Sequence, residues 1–243
     1  MLGFTRGCHP HMRWLPLTCT RKPIMDITPV SFFTPLSFSR LLGGLALLLA
    51  LAQPAMAVNI VYDGSCANAP DRLAVANAVA RATTWSNDAY NLVNNNEQAL
   101  RNNAPSAYRT WFGTFEQGRY QRVRGVLDGV RFKLSSDSTL TAYCRVNPAV
   151  PCDQPGDIAA TNARVRGDFS VWFCNAFFAL PPNVGFDTQA GSVLHEMTHS
   201  IGNTEDIPGA YGPANAANLA TNNPAQAVDN ADNYEFFVEQ LYD

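Results

Sequence analysis

The stretch VLHEMTHSIG, residues 193–202, places two histidines four positions apart with a glutamate directly after the first. On a helix, positions i and i+4 lie one turn apart on the same face, so His195 and His199 can present their imidazoles to one ion. Glu196 then projects beside that ion, where it can act as general base for an attacking water. This H-E-x-x-H spacing is a zinc-binding pattern. The residues therefore predict a catalytic zinc site.

The alternative is two ordinary helix histidines beside an acidic neighbour. A pattern with three fixed letters in five arises by chance in roughly one chain per hundred of this length. The chain has four histidines, however, and the only two that follow residue 57 both lie in this motif. Asp187 is expected to cap the helix and Gly202 to end it, with apolar residues between them for burial. This context favours the metal site.

A catalytic zinc needs a third protein ligand and an open position for water. Asp206 lies on the chain that returns after the helix, and it could instead cap the following turn. Glu205 lies ten residues past His195, at the position of the third ligand in a metzincin-like site. Glu235 could serve as the distant glutamate of a thermolysin-like site. The spacing alone leaves these three alternatives open.

Residues 1–57 differ from the rest of the chain. The apolar run of twelve at 41–52 follows Arg40 and precedes QPAMA, which matches a secretory signal with cleavage after Ala57. Met25 is the better start for such a signal. We therefore expect 1–24 to be an upstream segment absent from the mature protein, 25–57 to be the signal peptide and 58–243 to be the secreted protein, extracellular or, in a bacterium, periplasmic. Twelve apolar residues are too few to anchor a helix in a bilayer, so no stable membrane association is expected.

The charge and cysteines of residues 58–243 restrict the class of protein. This part holds twelve of the seventeen basic residues and nineteen of the twenty acidic ones, a net charge of −7. That balance argues against nucleic acid or an anionic membrane as a partner. Four cysteines remain, and an even number in an exported chain predicts two disulfides, with three possible pairings. They are Cys66, Cys144, Cys152 and Cys174.

The hydrophobic pattern predicts one helix-rich α+β domain. Residues 69–95 have helical spacing, with Leu73, Ala76, Val79 and Ala80 as the predicted inner face. SAYRTWFG and YQRVRGVLDGVRFKL are expected to be further helices. TLTAYCRV and FSVWFCNAFFAL are rich in β-branched and aromatic residues, which predicts a strand pair with a long connection. The helical pattern returns over 187–199 and resumes in two segments towards the carboxyl end.

Several segments together resemble the deuterolysin, or aspzincin, family of zinc endopeptidases. They are HEMTH, NTEDIPGAYG, NADNYEFFVE, YDGSC, AYRTWFG, VWFCNAFF and DTQAGSVLHE, in family order over 61–243. The similarity is greatest to the peptidyl-Lys metalloendopeptidase branch. It implies a single zincin-type domain that binds one Zn²⁺ per chain and acts on proteins or peptides. It also implies that His195, His199 and Asp206 are the ligands and that Glu196 is the base.

The resemblance further implies that the Tyr211 hydroxyl stabilises the oxyanion, although simple packing would also explain a tyrosine there. Two departures bear on this role. The glycine of the family segment G-T-x-D-x-x-Y-G is Asn203, and four residues rather than two separate Asp206 from Tyr211. The order of the cysteines implies the pairs Cys66–Cys144 and Cys152–Cys174.

The segment NADNYEFF resembles the part of the lysine-specific branch that presents an aspartate and a glutamate to an ammonium group. Asp232 and Glu235 match those positions and share a helix face, although D-x-x-E also makes a capping box. Lys133 is the only lysine in 58–243, against eleven arginines. A protease that cuts at lysine gains from lacking it. Cleavage on the amino side of lysine is therefore the leading hypothesis, with broader deuterolysin-like cleavage as the alternative.

A rival of another class is a secreted binding or effector module with a structural zinc. Structural zinc sites close the coordination shell with four protein ligands, typically rich in cysteine. The four cysteines here are better placed for disulfides, and Glu196 would have no structural purpose. The sequence thus favours an endopeptidase, expected to act as a monomer.

Overall fold

The computed structural model describes residues 58–145, 152, 156–161 and 169–243, and the predicted upstream segment and signal peptide lie outside them. All described residues belong to one compact unit. The α+β, helix-rich class is confirmed. The described helices are α1 (Ala69–Asn95), α2 (Glu97–Arg101), α3 (Ser106–Phe112), α4 (Gln117–Leu134), α5 (Gln189–Met197), α6 (Pro213–Asn222), α7 (Pro224–Ala227) and α8 (Ala231–Gln240). None of the described helices is long and apolar enough to cross a bilayer.

The sheet has four strands where the sequence predicted a pair. They are β1 (Asn59–Tyr62), β2 (Thr139–Cys144), β3 (Ala159–Thr161) and β4 (Ser170–Phe173), in the spatial order β1-β2-β4-β3. The two predicted strands are neighbours and run parallel, as do β1 and β2, whereas β3 runs antiparallel to β4. β1 and β3, which have four and three residues, were not predicted from the sequence. The stretch after β4 leaves the sheet as a 3-10 turn, Ala176–Ala179.

The long helix α1 has the predicted boundaries, but the predicted inner face is wrong. Leu73 is 62% exposed and Ala80 is also exposed, whereas Val75, Ala78 and Ala82 are buried with Val79. α1 packs against both α4 and α5. The buried face continues through Trp85, Ala89 and Val93, so the core side of α1 is the one that carries this row of residues. On α4 the predicted face is confirmed, since Tyr120, Val123, Leu127 and Val130 are all buried.

The helix α5 carries the histidine motif and begins at Gln189, two residues after the start of the predicted helical pattern. Thr188, not Asp187, is the capping residue, and its side chain accepts a hydrogen bond from the N–H of Gly191 at 2.9 Å. Asp187 has a left-handed backbone with φ 55°. After Met197 the chain widens into a π-turn, Thr198–Gly202, and Asn203 ends it with φ 55°. Asparagine tolerates this conformation better than most residues.

The helix α8 is central, because every residue from Ala231 to Glu239 is buried. One side contacts α3 through the aromatic rings of Trp111, Phe112, Phe236 and Phe237, whose centroids lie 5.2 to 5.4 Å apart in the pairs Trp111–Phe236 and Phe112–Phe237. The other side packs against α5. An amphipathic surface helix would expose its acidic residues to solvent. In α8, three carboxylates are buried, those of Asp232, Glu235 and Glu239.

Both disulfides have the pairing that the resemblance implied. Cys66 is bonded to Cys144, joining the segment after β1 to the end of β2, and Cys152 is bonded to Cys174. The sequence separations are 78 and 22 residues. Since a bridge stabilises a protein partly by restricting the unfolded chain, the longer loop should contribute more.

We expect the double change Cys66→Ala/Cys144→Ala to lower the free energy of unfolding by about 4 kcal/mol and Cys152→Ala/Cys174→Ala by about 3 kcal/mol. Urea unfolding of the two variants and the unchanged protein measures this order. A larger loss from the second pair would contradict the loop-length explanation. Thiol titration of the unfolded, unreduced protein gives the control, because residues 58–243 should show no free thiol.

Candidate active site

The two motif histidines meet at one point although the helix changes type between them. His195 lies in the last turn of α5, and His199 lies in the π-turn that follows. Their Nε2 atoms are 3.1 Å apart. The i, i+4 spacing therefore brings both imidazoles to a single position, as the sequence predicted.

Asp206 completes this position from the returning loop. Its Oδ1 lies 3.0 Å from His195 Nε2 and 3.2 Å from His199 Nε2. Burial by itself would raise the pKa of Asp206, but hydrogen bonds from the two histidines hold it below its ordinary value. The carboxylate side chain remains 39% exposed on the cleft side. The three side chains form a cluster that is open to solvent on one side.

The loop that carries Asp206 is fixed by backbone pairing. Glu205 forms a parallel bridge with Asn230, through the N–H of Glu205 to Asp229 O and the N–H of Ala231 to Glu205 O. Within the described residues, the cluster of possible ligands that joins both histidines contains Asp206 and not Glu205. The bridge at Glu205 fixes the backbone of the loop, and on that backbone the Asp206 carboxylate reaches the histidines whereas the Glu205 carboxylate does not.

The donor set fits a zinc ion. Two imidazole nitrogens and one carboxylate oxygen are the ligand types of catalytic zinc sites, and bonds of 2.0–2.1 Å at a tetrahedral ion put ligand atoms about 3.3 Å apart. The three observed separations are 3.0, 3.1 and 3.2 Å. A small inward or outward adjustment of the side chains would accommodate the ion, with a fourth position facing the cleft.

The outer nitrogens of both histidines are also engaged. His199 Nδ1 lies 2.9 Å from Thr204 O and donates to it. His195 Nδ1 lies 3.1 Å from Asp232 Oδ1 and 3.1 Å from Glu235 Oε2. Acceptors at Nδ1 keep the proton there and leave Nε2 available as a ligand atom. Glu235 thus contacts the outer nitrogen of His195 and not the position of a thermolysin-like ligand.

Glu196 lies beside the cluster and is buried. It lines the cleft on both the Tyr211 side and the Thr204 side. Burial raises the pKa of its carboxyl group, while a hydrogen bond from the backbone of Thr161 acts in the opposite direction. A carboxylate with a raised pKa beside a metal position suits a group that must take up a proton and release it again.

Tyr211 lines the same cleft, so the two extra residues in the loop do not move it away. The turn before it contains Gly209 with φ 82°, and Gly212 after it has φ 81°. These left-handed positions let the chain absorb the insertion. Tyr211 is 58% exposed, which does not agree with a role in ordinary core packing.

The capping-box interpretation of Asp232 and Glu235 is wrong. Asn230 precedes the first turn of α8, and no side chain caps it. Asp232 instead accepts a hydrogen bond from the N–H of Gly212 at 2.8 Å and approaches His195. Glu235 is buried, and burial raises its pKa to about 7. Both carboxylates face the cleft rather than the helix backbone.

The cleft, of about 340 Å³, is strongly acidic. No lysine or arginine lines it among the described residues, whereas six carboxylates do: Asp157, Asp187, Glu196, Asp206, Asp232 and Glu235. Sequence reasoning missed two of them, Asp157 and Asp187. Asp187 begins DTQAGSVLHE, one of the segments that resemble the family, but it was predicted to cap the helix. An acidic concave surface favours a cationic group of the substrate.

Comparison with known proteins agrees with this site. The profile of the aspzincin family, described as lysine-specific metallo-endopeptidase, matches residues 96–239. The chain is 33% identical over 162 residues to a peptidyl-Lys metalloendopeptidase of Pleurotus ostreatus, covering 67% of this chain and 87% of that protein. The chain belongs to the aspzincin family. It is therefore a metallo-endopeptidase, a hydrolase whose substrates are proteins or peptides.

Two further similarities extend the family assignment. This aspzincin is 28% identical over 204 residues to an extracellular protease of Aeromonas hydrophila, covering 78% of this chain but only 50% of that protein. Its fold matches a zinc peptidase from Grifola frondosa with a TM-score of 0.60 and 29% identity, over 72% of this chain and 98% of that one. Both similarities extend well beyond the five residues of the motif.

Proposed function

We propose that residues 58–243 are the catalytic domain of a secreted, monomeric zinc endopeptidase that cuts on the amino side of lysine. The observation that carries the proposal is the acidic cleft directly beside the cluster of His195, His199 and Asp206. Export is supported by the signal-like pattern before Val58 and by the name of the Aeromonas relative, extracellular protease.

The donor set favours zinc as the metal. When bound, the ion supplies a Lewis acid that lowers the pKa of water and polarises the scissile carbonyl. Glu196 accepts a proton from the attacking water and delivers it to the leaving amine. Tyr211, whose ring lies on the cleft wall, donates its hydroxyl hydrogen to the developing oxyanion.

The edge of the sheet offers a way to hold the substrate backbone. Among the strands of the described residues, β3 is the last in the order β1-β2-β4-β3, and Ala159 at its start lines the cleft. An extended peptide can add to such an edge through main-chain hydrogen bonds, which do not depend on sequence. Thr161 at the other end contacts Glu196 through its backbone, so a peptide aligned along β3 runs past the catalytic carboxylate.

The lysine preference rests on Asp232 and Glu235. An ammonium group is a compact, strongly hydrated charge with three donors, so more than one carboxylate can bind it at once. Asp232 comes from the first turn of α8 and Glu235 from the next, on the same wall of the cleft. The Pleurotus relative bears the name peptidyl-Lys metalloendopeptidase, which supports the same specificity.

The single lysine of the domain is shielded, as a lysine-cutting enzyme requires. Lys133 lies in the last turn of α4, and its Nζ lies 4.9 Å from the centroid of the Phe169 ring. A helical peptide bond cannot adopt the extended form that a strand-adding cleft binds. Lys133 is therefore protected from cleavage by the domain's own activity.

The test is to digest an unfolded protein that contains both lysine and arginine, with and without a chelator, and to map the new amino termini. We expect lysine at nearly all of them and no cleavage with the chelator present. Zinc binding without any cleavage would instead favour the structural-zinc module. Cuts spread over apolar or arginine sites would favour broader specificity.

The matched variant is Asp232→Asn, which keeps the side-chain size but removes the charge. Loss of a charged hydrogen-bond partner of a buried ammonium is expected to cost about 3 kcal/mol, or about a hundredfold in kcat/KM for a lysine peptide. Asp128→Asn, on the exposed surface of α4 beside Arg131, is the control. An unchanged lysine preference in Asp232→Asn would contradict the proposed role of this carboxylate.

A further inference from the structure

A buried carboxyl group outside the cleft takes no part in the chemistry described above. Glu239, near the end of α8, is 1% exposed. Its Oε1 accepts hydrogen bonds from the N–H of Thr188 at 2.8 Å and from the hydroxyl of Thr188 at 2.7 Å. Its Oε2 accepts from the N–H of Asp187 at 3.2 Å. Glu239 therefore holds the residues at the start of the active-site helix α5.

Gly191 in α5 faces the carboxyl group of Glu239. A Cβ at Gly191 would lie 2.1 Å from Glu239 Oε1 and 2.9 Å from Glu235 Oε1. Atoms cannot approach so closely, so a side chain at this position would displace the carboxyl groups of Glu239 and Glu235 from α5. The glycine of DTQAGSVLHE thus permits two carboxyl groups of α8 to lie directly against the first turns of α5.

These contacts fix how far α5 and α8 can slide along one another. Asp232, Glu235 and Glu239 have the spacing i, i+3, i+7 and share one face of α8. Glu239 contacts the cap of α5, whereas Asp232 and Glu235 contact His195 in its last turn. The two helices run in opposite directions along this row. A shift of either helix would break the contacts at both ends together.

We propose that Glu239 is a positioning residue that sets the register of α5 on α8 and thereby holds His195 against the cation-binding pair Asp232 and Glu235. The same contact fixes the backbone of Asp187, whose carboxylate lines the cleft. The expected effect of Glu239 on lysine preference rests on the proposed function. The expected effect of Glu239 on zinc affinity does not depend on lysine specificity.

Glutamine is the matched substitution at Glu239. Burial raises the pKa of Glu239 to about 9, and the nearby charge of Glu235 acts in the same direction. Glutamine matches the size of this side chain, and its amide oxygen can still accept both hydrogen bonds from Thr188, whereas its NH2 group cannot accept the weaker one from the N–H of Asp187.

The experiment compares Glu239→Ala and Glu239→Gln with the unchanged protein. Three quantities are measured per folded molecule: the dissociation constant for zinc, kcat and KM for a lysine peptide, and the ratio of kcat/KM for lysine and arginine peptides. Leu134→Ala, which removes a fully buried side chain at the end of α4, is the control for destabilisation alone. If Glu239→Ala does not fold, Glu239→Asp, which withdraws the carboxyl group by one methylene, replaces it.

We expect Glu239→Ala to weaken zinc binding and to reduce the lysine-to-arginine ratio about tenfold each, the size typical of changes behind a ligand shell. KM for the lysine peptide should rise, and Glu239→Gln should stay within about threefold of the unchanged protein. Leu134→Ala should lower stability only. Unchanged zinc affinity and lysine ratio in Glu239→Ala would overturn the inference, as would equal damage in Glu239→Gln. If the unchanged protein itself shows no lysine preference, the proposed specificity is refuted and not the role of Glu239. The zinc affinity of Glu239→Ala then decides that role.

Discussion

Glu196→Gln is expected to bind zinc normally and to lose about a thousandfold or more in kcat, because the attacking water keeps its position but has no proton acceptor. Glutamine has the same shape as glutamate, and its amide oxygen can still accept the hydrogen bond from the backbone of Thr161. A buried residue can therefore be changed here without opening a cavity. The loss should appear in kcat rather than in KM, since Glu196 acts on the water and not on the bound peptide.

The measurement combines steady-state kinetics on a lysine peptide with the zinc content of the purified variant. Equal zinc content shows that the metal site is intact, and thermal unfolding serves as the check on folding. Turnover within tenfold of the unchanged enzyme would rule out Glu196 as the base. In that case the water would have to lose its proton to another group of the cleft.

Asp206→Ala is expected to lose zinc, and with it the activity. The change removes the one anionic member of the cluster, whose Oδ1 contacts both histidine Nε2 atoms. Changes behind a ligand shell cost about 10- to 100-fold in metal affinity, so loss of a ligand should exceed about a hundredfold. The affinity is measured by competition with a chromogenic chelator, which does not require turnover.

Glu205→Ala is the matched control for Asp206→Ala, because it removes a neighbouring carboxylate from the same loop. Glu205 is exposed and lies outside the ligand cluster. We expect this variant to keep its zinc affinity within about threefold, as for other surface changes. Retained zinc in Asp206→Ala together with loss in Glu205→Ala would favour the metzincin-like arrangement.

The contacts of His195 link metal binding and substrate choice. Asp232 and Glu235 are proposed to receive the substrate ammonium, and both also accept from His195 Nδ1. An incoming cation must share these carboxylates with the histidine. A lysine side chain in the cleft would therefore alter the hydrogen bonding behind a proposed zinc ligand, whereas an apolar side chain would not.

The sequence by itself determined those features that depend on short spacing. Four residues of helix bring His195 and His199 together whatever surrounds them, and the long periods of α1 and α4 predicted their boundaries well. The family resemblance extended this to Asp206, Tyr211 and the cysteine pairs. Each of these predictions depends on local geometry or on a complete segment of similar sequence.

Only the tertiary structure decided what each helix face contacts. The inner side of α1 runs through Val75 and Ala82 and not through Leu73, because that side packs against α4 and α5. No pattern in the sequence singled out Glu239, yet burial of α8 on all sides brings it to Thr188. Asp187 was predicted to cap a helix and instead lines the cleft. Periodicity reports which residues share a face, but the partner of that face comes from residues distant in the chain.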